Sequence, residues 1–471
     1  MNNGSTSGDL AESLRVLLSG LAPGDRLPSS RELVKRYRVG PATVARAIAA
    51  LAAEGAVVTR PGSGTYVAER RARPHEEAAA DLSWQTVALT DRAVDTRLVA
   101  DPLGPAPAGA VSMDGGYIHR SLQPTRALSA ALARAARRPD AWDRAPAGGL
   151  AALRAAFGHL VGGVSPEDVL VTAGGQSALS IAFRAVAGPG SPVLVESPTY
   201  PRALAAARAA GLRPVPVPLD ADGLRPDLLA DAFAMTGARL LYCQPTFQNP
   251  TGAVLAPERR RQVLDVARAA GAFVIEDDFA RHLGHGGPVP RPLVDEDRDG
   301  TVVHVTSLTK PAAPSLRIGA LVARGPVMER MRAVRLVDDF FVTRPLQEAA
   351  LEVLGSPSWE RHVRALGAAL RERCAVLADA VAREVPGAAF SAPAGGLHLW
   401  VRLPAGVDDA VLTSAARQRG VVVSAGGRYF AAEPPAAHVR IGFAAAADHA
   451  ELAEGARRLG SALSDLSPGR G

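Results

Sequence analysis

Apolar side chains in the first part of the chain recur at helical spacing and are interrupted by turn signals. The leucines of residues 9–18 fall on one face of a helix that Gly20 can end. A second helix is predicted to begin in the PSSREL segment, where Ser29 and Glu32 have the spacing of a capping box, and to run to about Tyr37. Two helices are therefore expected before residue 40.

A third helix and a hairpin follow directly. Pro41 suits the first turn of a helix because it has no N–H to leave unpaired, and Gly55 is expected to stop this helix. The segment VVTRPGSGTYV, residues 57–67, places two short β-branched runs around a Pro-Gly-Ser-Gly turn, which predicts a hairpin. Three helices followed by a hairpin make a winged helix-turn-helix.

From residue 150 onward, short apolar runs alternate with helix-length segments. The runs are DVLVT, PVLVE, RPVPV, LLYC, FVIEDD and TVVHVTS. This alternation predicts an α/β fold with a mainly parallel sheet covered on both faces by helices. Ligands of such sheets bind at the carboxyl ends of the strands, so candidate chemistry is expected there.

Polar residues follow several of these predicted strands. The segment VLVTAGGQSALSI reads as a strand, a glycine pair and a helix start, which directs free N–H groups at an anion. Asn249 lies in a proline-flanked loop after LLYC, and FVIEDD ends in the three acids of 276–278. TVVHVTS ends at Ser307, and Lys310 and Arg317 come soon after.

Length and charge divide the chain in two. A chain of 471 residues exceeds what one hydrophobic core usually supports, so at least two domains are expected. Residues 1–75 hold eleven Arg or Lys against six Asp or Glu, which places +5 of the net charge of +6 in a small part of the chain. A basic head on a nearly neutral body suggests binding to a polyanion, and a solvated basic face is the alternative.

Lysine usage is the sharpest compositional signal. Of 53 basic residues only Lys35 and Lys310 are lysines. Arginine can hold phosphates and carboxylates, but it does not deprotonate and cannot form a Schiff base. A position that keeps lysine in this chain is therefore a candidate for a required amine.

Several classes of protein are disfavoured. Neither a signal peptide nor a membrane-spanning run is found in the sequence, and Cys243 and Cys374 offer no disulfide framework, so a reduced cytoplasmic location is expected. His282, His285 and His398 are scattered without ligand spacing, and no metal site is expected.

The head resembles the GntR family of bacterial regulators through the patterns PGxxLPSxREL, TVxxAxxxLxxEG and RxGxGTxV. The resemblance implies double-stranded DNA as a partner, with the third helix in the major groove and the hairpin near the minor groove. Carried over by position, the DNA-contacting candidates are Arg31, Thr43, Arg46, Arg60 and Gly64. Many relatives have arginine where this chain has Pro41 and Ala45, so base readout must rely on other side chains such as Arg46 or Arg38.

The body resembles fold type I aminotransferases, specifically the MocR-type branch in which a GntR head is fused to such a domain. The resemblance rests on the ordered set GGQ, PTY, NPTG, EDD, SLTK with an arginine seven residues on, and a C-terminal VRIGF. It implies a smaller C-terminal α/β subdomain and pyridoxal 5'-phosphate as cofactor. Lys310 would form the internal aldimine, Asp277 would pair with the pyridine nitrogen, Tyr200 would stack on the ring and Asn249 would bind its phenolic oxygen.

The resemblance also implies two anion sites. Ser307 and Arg317, with the N–H groups at Gly175 and Gln176, would hold the phosphate, and Arg440 would bind the carboxylate of an amino compound.

This chain departs from the pattern twice. Phe279 stands where relatives commonly have a tyrosine near the phenolic oxygen. Arg144 stands near the expected tyrosine that reaches a neighbouring subunit's phosphate.

These observations lead to a three-part division and to competing functions. The predicted parts are a winged helix-turn-helix at 8–70, a linker at 71–110 and an aminotransferase-like domain at 111–471. The favoured function is a homodimeric regulator that senses an amino-compound effector by aldimine exchange, and the alternative is an aminotransferase with a regulatory head. A body that has lost its cofactor is disfavoured because Lys310 and Asp277 are both present.

Overall fold

A computed structural model describes residues 7–68, 81–88 and 109–466. The chain divides into two compact units, residues 1–90 and 91–471. In the described parts, no helix has the length and the apolar character needed to cross a membrane. The domain limits predicted above stay predictions, because part of the predicted linker lies outside the described residues.

The first unit has the predicted helices and hairpin. They are α1 (Ser7–Leu18), α2 (Ser30–Tyr37), α3 (Pro41–Ala53), β1 (Val57–Arg60) and β2 (Gly64–Val67). The predicted capping box is present, because the Ser29 side chain accepts from the Glu32 N–H and the Glu32 carboxylate accepts from the Ser29 N–H. The strands pair antiparallel, and the helices enclose a core that includes Leu10, Leu14, Leu33, Val44 and Leu51. The winged helix-turn-helix prediction is confirmed.

A short helix and a short strand follow the head. Helix α4 spans Trp84–Ala88 within the predicted linker, and strand β3 spans Val111–Ser112. The intervening residues 89–108 lie outside the described part of the chain.

The second unit is organised around an eight-stranded sheet. Its strands are β4 (Val169–Thr172), β5 (Pro192–Ser197), β6 (Arg213–Asp220), β7 (Gly223–Leu224), β8 (Leu240–Cys243), β9 (Phe273–Asp277), β10 (Val302–Ser307) and β11 (Gly319–Val322). The spatial order is β4-β11-β10-β9-β8-β5-β6-β7. Strands β6, β5, β8, β9 and β10 pair in parallel, whereas β11 is antiparallel to both β10 and β4 and β7 is antiparallel to β6. The prediction of a mixed, mainly parallel sheet is confirmed.

Helices cover both faces of this sheet. They are α5 (Thr125–Ala135), α6 (Ala151–Val161), α7 (Gly175–Val186), α8 (Pro201–Ala209), α9 (Pro226–Thr236), α10 (Pro257–Ala269), α11 (Leu293–Glu296), α12 (Pro326–Asp338) and α13 (Arg344–Leu354). Leu194 belongs to one apolar core, whereas its strand neighbours Val193 and Val195 belong to the other. Successive strand residues face opposite sides, so continuous apolar strands fill two cores.

A smaller subdomain ends the described chain. It contains α14 (Pro357–Glu384), β12 (His398–Arg402), α15 (Asp409–Gln418), β13 (Val421–Val422), β14 (Ser424–Ala425), β15 (His438–Gly442) and α16 (His449–Leu466). Strands β12, β15 and β14 form an antiparallel sheet, and β13 pairs in parallel with β3. The pairing of β3 joins the start of the second unit to this subdomain, whose apolar core it shares through Val111. The predicted C-terminal α/β subdomain is confirmed.

Candidate functional site

One cavity of about 360 Å³ gathers all the site residues that were predicted in the body. These residues are Gly175, Gln176, Tyr200, Asn249, Asp277, Ser307, Lys310, Arg317 and Arg440. In the sequence they span more than 260 positions, from Gly175 to Arg440. The fold brings them together because β9 ends at Asp277, β10 ends at Ser307 and α7 begins at Gly175 at the same edge of the sheet.

An anion cradle forms where β4 turns into α7. Gly174 precedes the helix with φ 85°, and no side chain of the described residues caps the helix start. The first N–H groups of α7 are therefore available to an anion. Arg317 lies against this turn and donates from Nη2 to the Ala173 carbonyl at 2.8 Å. Ser307 adds a hydroxyl, which is 2.9 Å from the Thr309 hydroxyl. The arrangement suits a phosphate group.

Asp277 is buried and held by two neighbours from the adjacent strand and its loop. Its Oδ2 accepts hydrogen bonds from the Tyr242 hydroxyl and the Gln244 amide, each at 2.8 Å. Burial raises the pKa of Asp277 to about 6, and the two hydrogen bonds act in the opposite direction. The carboxylate is therefore held in place, but burial of its negative charge without a cationic partner costs free energy of folding.

A second layer of polar groups supports this arrangement. The Gln244 Oε1 accepts from the Asn249 N–H at 3.1 Å, and the Gln244 N–H donates to the Glu196 carboxylate at 3.0 Å. Glu196 is fully enclosed, and burial raises its pKa to about 8. Gln244 thus fixes the backbone of Asn249 and the carboxylate of Asp277 at the same time.

Lys310 extends its amine into the cavity. Nζ donates to the Gly116 carbonyl at 2.5 Å and lies 4.0 Å from the centroid of the Tyr117 ring. Burial, together with the positive charges of Arg440 and Arg202, lowers the pKa of Lys310 to about 7. A substantial fraction of this amine is therefore unprotonated at neutral pH, which is the form that acts as a nucleophile.

Arg440 approaches from the smaller subdomain. Nη1 donates to the Asn249 Oδ1 at 3.1 Å, Nη2 donates to the Asp114 carbonyl, and the guanidinium lies 5.3 Å from the Tyr429 ring centroid. Its buried Nε has no hydrogen-bond partner among the described residues. The side chain is positioned for a further acceptor, such as a carboxylate.

Several cavity residues were not singled out for this site from the sequence. They are Asp114, Tyr117, Arg202, Gln244, Thr309, His398, Ser424, Arg428 and Tyr429. Of these, only Gln244 left a usable signal in the sequence, because it directly follows the strand that lies next to the one ending in Asp277. Phe279 lines the cavity as well, whereas Arg144 is exposed on a loop and is not a cavity residue.

Histidines of the body serve other contacts. His282 packs edge-on against Trp359, and both ring nitrogens of His285 lie within hydrogen-bond distance of backbone carbonyls. Within the described ranges, no cluster of three or more His, Cys, Asp or Glu side chains could hold a metal ion.

The DNA-contacting candidates lie on the exposed elements of the head. Arg31 is in the first turn of α2, and Thr43 and Arg46 are on α3. Arg31 and Arg46 are exposed, and neither has an ion-pair partner among the described residues. Free guanidinium groups of this kind are available to phosphates.

The hairpin supplies the remaining two candidates. Arg60 ends β1, and its guanidinium lies 5.0 Å from the centroid of the Tyr66 ring. Gly64 begins β2 with φ 122°, and a Cβ there would lie 2.8 Å from the Arg26 guanidinium. The glycine therefore permits both the turn and the close approach of an arginine. Contact of these five residues with DNA stays a prediction.

Comparison with known families gives two matches in separate parts of the chain. The family of bacterial regulatory proteins named gntR matches residues 6–67, and the family named aminotransferase class I and II matches residues 117–459. The HTH-type transcriptional regulator YdfD of Bacillus subtilis is 25% identical over 451 residues, which is 94% of this chain and 93% of that protein. The 2-aminoadipate transaminase of Thermus thermophilus is 31% identical over 364 residues, which is 76% of this chain and 91% of that enzyme.

Solved structures agree with the second match. The alpha-aminoadipate aminotransferase LysN from Thermus thermophilus, crystallised with N-(5'-phosphopyridoxyl)-L-leucine, superposes with a TM-score of 0.77 at 30% identity, covering 82% of this chain and 99% of LysN. The kynurenine aminotransferase of Pyrococcus horikoshii superposes with a TM-score of 0.75 at 25% identity, covering 83% and 99%. This chain belongs to the class I and II aminotransferase family and carries a GntR-family helix-turn-helix at its N-terminal end, which is the architecture of MocR-type transcriptional regulators.

Proposed function

We propose that this GntR-family regulator binds pyridoxal 5'-phosphate in the cavity of its aminotransferase-like domain and senses an amino compound there. The observation that carries the proposal is the convergence of an amine, a carboxylate and an anion cradle in one cavity, supplied by Lys310, Asp277 and the start of α7. Class I aminotransferases typically depend on this cofactor, and a helix-turn-helix of the GntR type implies DNA binding.

Unsatisfied groups in the cavity support the fit of the cofactor. The buried Oε1 of Gln176 and the buried Nε of Arg440 have no hydrogen-bond partner among the described residues. Buried polar atoms are nearly always paired, so groups left unpaired inside a cavity indicate a bound partner. The open N-terminus of α7 adds backbone N–H donors to these groups.

Each side chain then has a definite task. The N–H groups at Gly175 and Gln176, with Ser307 and Arg317, would hold the phosphate. Asp277, held by Tyr242 and Gln244, would accept from the protonated ring nitrogen and so recover the cost of its burial. When bound, the cofactor supplies an electrophilic carbon for amines and an electron-withdrawing ring.

Other cavity residues would contact the ring of the cofactor and the amino compound. Tyr200 would cover the ring, Asn249 would contact its phenolic oxygen, and Lys310 would provide the linking amine. An amino compound would place its carboxylate on Arg440 and its amine where the Lys310 amine lies. The effector thus competes with Lys310 for one position.

The decisive experiment uses the two lysines of the chain. Lys310→Ala should remove the visible absorbance of the bound cofactor and the adduct trapped by borohydride, whereas Lys35→Ala should keep both. Peptide mapping of the reduced wild-type protein should locate the label at Lys310. A borohydride-stable adduct in the Lys310→Ala protein would show that the site is assigned wrongly.

Two further parts of the proposal concern assembly and DNA. We propose a homodimer in the cytoplasm, with the divisions 8–70, 71–110 and 111–471, and DNA contacts through Arg31, Thr43, Arg46, Arg60 and Gly64. Arg31→Ala should weaken binding to all duplex sequences alike, whereas changes at Thr43 or Arg46 should relax sequence preference. Arg208→Ala, an exposed change on α8 of the body, serves as the control in gel-shift titrations.

A second candidate function is an aminotransferase with a regulatory head. The similarity to the 2-aminoadipate transaminase and the complete set of cavity residues favour it. Phe279, which places no hydroxyl at its position in the cavity, favours limited turnover and therefore the sensor. Steady formation of a keto acid from an amino donor, with no change in DNA affinity, would favour the enzyme. An effector-dependent change in DNA affinity with little keto acid would favour the sensor.

A further inference from the structure

His398 is a buried polar side chain of the cavity. It begins β12, only 7% of its surface is exposed, and it lines the cavity. Its Nε2 is buried and has no hydrogen-bond partner among the described residues. Since a buried ring nitrogen is rarely left unpaired, this atom indicates a contact with something that binds in the cavity.

The backbone pairing directs His398 toward the same region as Arg440. Trp400 pairs with Arg440 across β12 and β15, and His398 is two residues from Trp400. Residues directly opposite each other in an antiparallel pair share a face, and so do residues two apart on a strand. One face of the small sheet therefore presents a guanidinium and an imidazole to the cavity.

A glycine locates the ring nitrogen relative to the Lys310 amine. A Cβ built on Gly116 would lie 3.3 Å from the Lys310 Nζ and 3.8 Å from the His398 Nε2. Both nitrogens thus border the same small space beside Gly116. An amine that replaces the Lys310 amine would enter this space and meet Nε2.

Burial and the charges around His398 decide its protonation state. Burial, then the positive charges of Arg440 and Lys310, lower the pKa of His398 well below its usual value. The imidazole is therefore neutral at physiological pH. Neighbouring cations favour the tautomer that turns the lone pair of Nε2 toward them, so Nε2 is the accepting nitrogen.

We propose that His398 is a catalytic residue of effector capture, whose Nε2 accepts the proton that an incoming ammonium group must lose. The proposal rests on the function proposed above. An amino compound arrives protonated at neutral pH and becomes nucleophilic only as the free amine. In the proposed step the N–H bond of the ammonium breaks, an N–H bond forms at Nε2, and the electron pair stays on the effector nitrogen.

The step favours amino compounds that carry a carboxylate. A carboxylate bound to Arg440 neutralises one of the two cations that hold the pKa of His398 down. Linkage of Lys310 to the cofactor would remove the other charge. With the cofactor and a carboxylate both in place, burial alone would hold the pKa of His398 down, so its imidazole would be a stronger base than in the empty cavity.

The test compares two kinds of probe that differ in the protonation of the amine. Glycine, L-alanine, L-aspartate and L-glutamate carry ammonium groups at pH 7, whereas aminooxyacetate carries a carboxylate and an amine that is already unprotonated. Rates of the cofactor's spectral change are measured with the full chain, in the wild type and in His398→Phe and His398→Gln. Retained absorbance of the lysine-linked cofactor in each variant shows that the site is folded.

We expect His398→Phe to slow the spectral change at least tenfold with each amino acid that reacts with the wild type. With aminooxyacetate the same variant should slow the change less than twofold. His398→Gln, whose amide oxygen accepts a hydrogen bond but is not basic enough to take the proton, should be slowed about as much, and recovery of the rate in this variant would overturn the proposal. Equal slowing with aminooxyacetate and with the amino acids would mean that the ring only packs. An unchanged rate with the amino acids would likewise overturn the proposal. So would aminooxyacetate reacting while none of the four amino acids does. Failure of aminooxyacetate in the wild type would instead count against the proposed cofactor.

Discussion

Lys310 and Asp277 face one cavity with pKa values moved in opposite directions. Burial lowers the pKa of the Lys310 amine to about 7 and raises the pKa of the Asp277 carboxyl to about 6. Both pKa values lie near neutrality, so at pH 7 the amine is partly unprotonated and the carboxyl is mostly ionised. That combination suits an aldehyde-bearing, cationic ring better than either ordinary pKa would.

The pH dependence of cofactor loading follows from Lys310. Below pH about 7 the amine is increasingly protonated and cannot attack the aldehyde, so the loading rate of the cofactor-free protein should fall by about tenfold per pH unit. Above that pH the rate should level off. Stopped-flow absorbance after mixing with pyridoxal 5'-phosphate measures the profile. A rate that keeps rising into the range of ordinary lysines would contradict the lowered pKa.

The buried Asp277 carboxylate is expected to lower the folding stability of the cofactor-free protein while it strengthens cofactor binding. Its folded-state pKa is raised, so the carboxyl favours folding at low pH and this contribution is lost as the pH rises through about 6. At pH 8, Asp277→Asn should therefore stabilise the cofactor-free protein, by on the order of 2 to 3 kcal/mol at about 1.4 kcal/mol per pKa unit. The same change should weaken cofactor binding. Thermal unfolding with and without cofactor measures both, and a destabilised cofactor-free variant would refute the argument.

At the scale of elements, the turn from β4 into α7 depends on one glycine. Gly174 has φ 85° and ψ 173°, a backbone conformation that other residues adopt at a cost of about 1–3 kcal/mol, and an added Cβ would meet Arg317. Gly174→Ala should lower stability by about that amount and raise the dissociation constant of the cofactor at least about tenfold through the displaced guanidinium. Gly188→Ala is the control, because a Cβ there meets open space. Equal cofactor affinity in both variants would exclude this role.

Helix α2 of the head depends on its cap. The reciprocal bonds between Ser29 and Glu32 satisfy two N–H groups at the helix start. Ser29→Ala should destabilise α2 by about 0.5–2 kcal/mol, speed hydrogen exchange of its amides and weaken DNA binding. Ser30→Ala removes a neighbouring hydroxyl and should leave exchange unchanged. Identical protection in the two variants would mean that tertiary packing alone holds this helix.

At the scale of the whole molecule, the loop between α5 and α6 exposes a large apolar side chain. Trp142 is 78% exposed and lies two residues from Arg144, the residue that the resemblance places near a neighbouring subunit. Tryptophan is enriched at protein–protein interfaces, so this side chain is a candidate contact between subunits. We expect sedimentation to give twice the chain mass of 48.7 kDa and Trp142→Glu to weaken the assembly. Met235→Glu, an exposed change on α9, should not. A cofactor-bound monomer at micromolar concentration would contradict the dimer.

The sequence by itself determined the elements and the chemical types of the site. Helix starts such as Ser29 and Pro41 were found because caps and turns act over a few residues. The strands ending at Asp277 and Ser307 were found because apolar runs set their length, and parallel strands place their carboxyl ends at one edge. Lys310 stood out because the chain uses arginine almost everywhere else.

Only the tertiary structure decided which side chains meet across long separations. Lys310 contacts Gly116 across 194 positions, and Arg440 contacts Asn249 across 191. No local periodicity encodes such a pair, since alternation along a strand gives the face of a residue but not its neighbour. His398 shows the consequence. Its sequence surroundings indicate only a strand, and its place beside the Lys310 amine arises because β12 pairs with β15 and packs over the loop at Gly116.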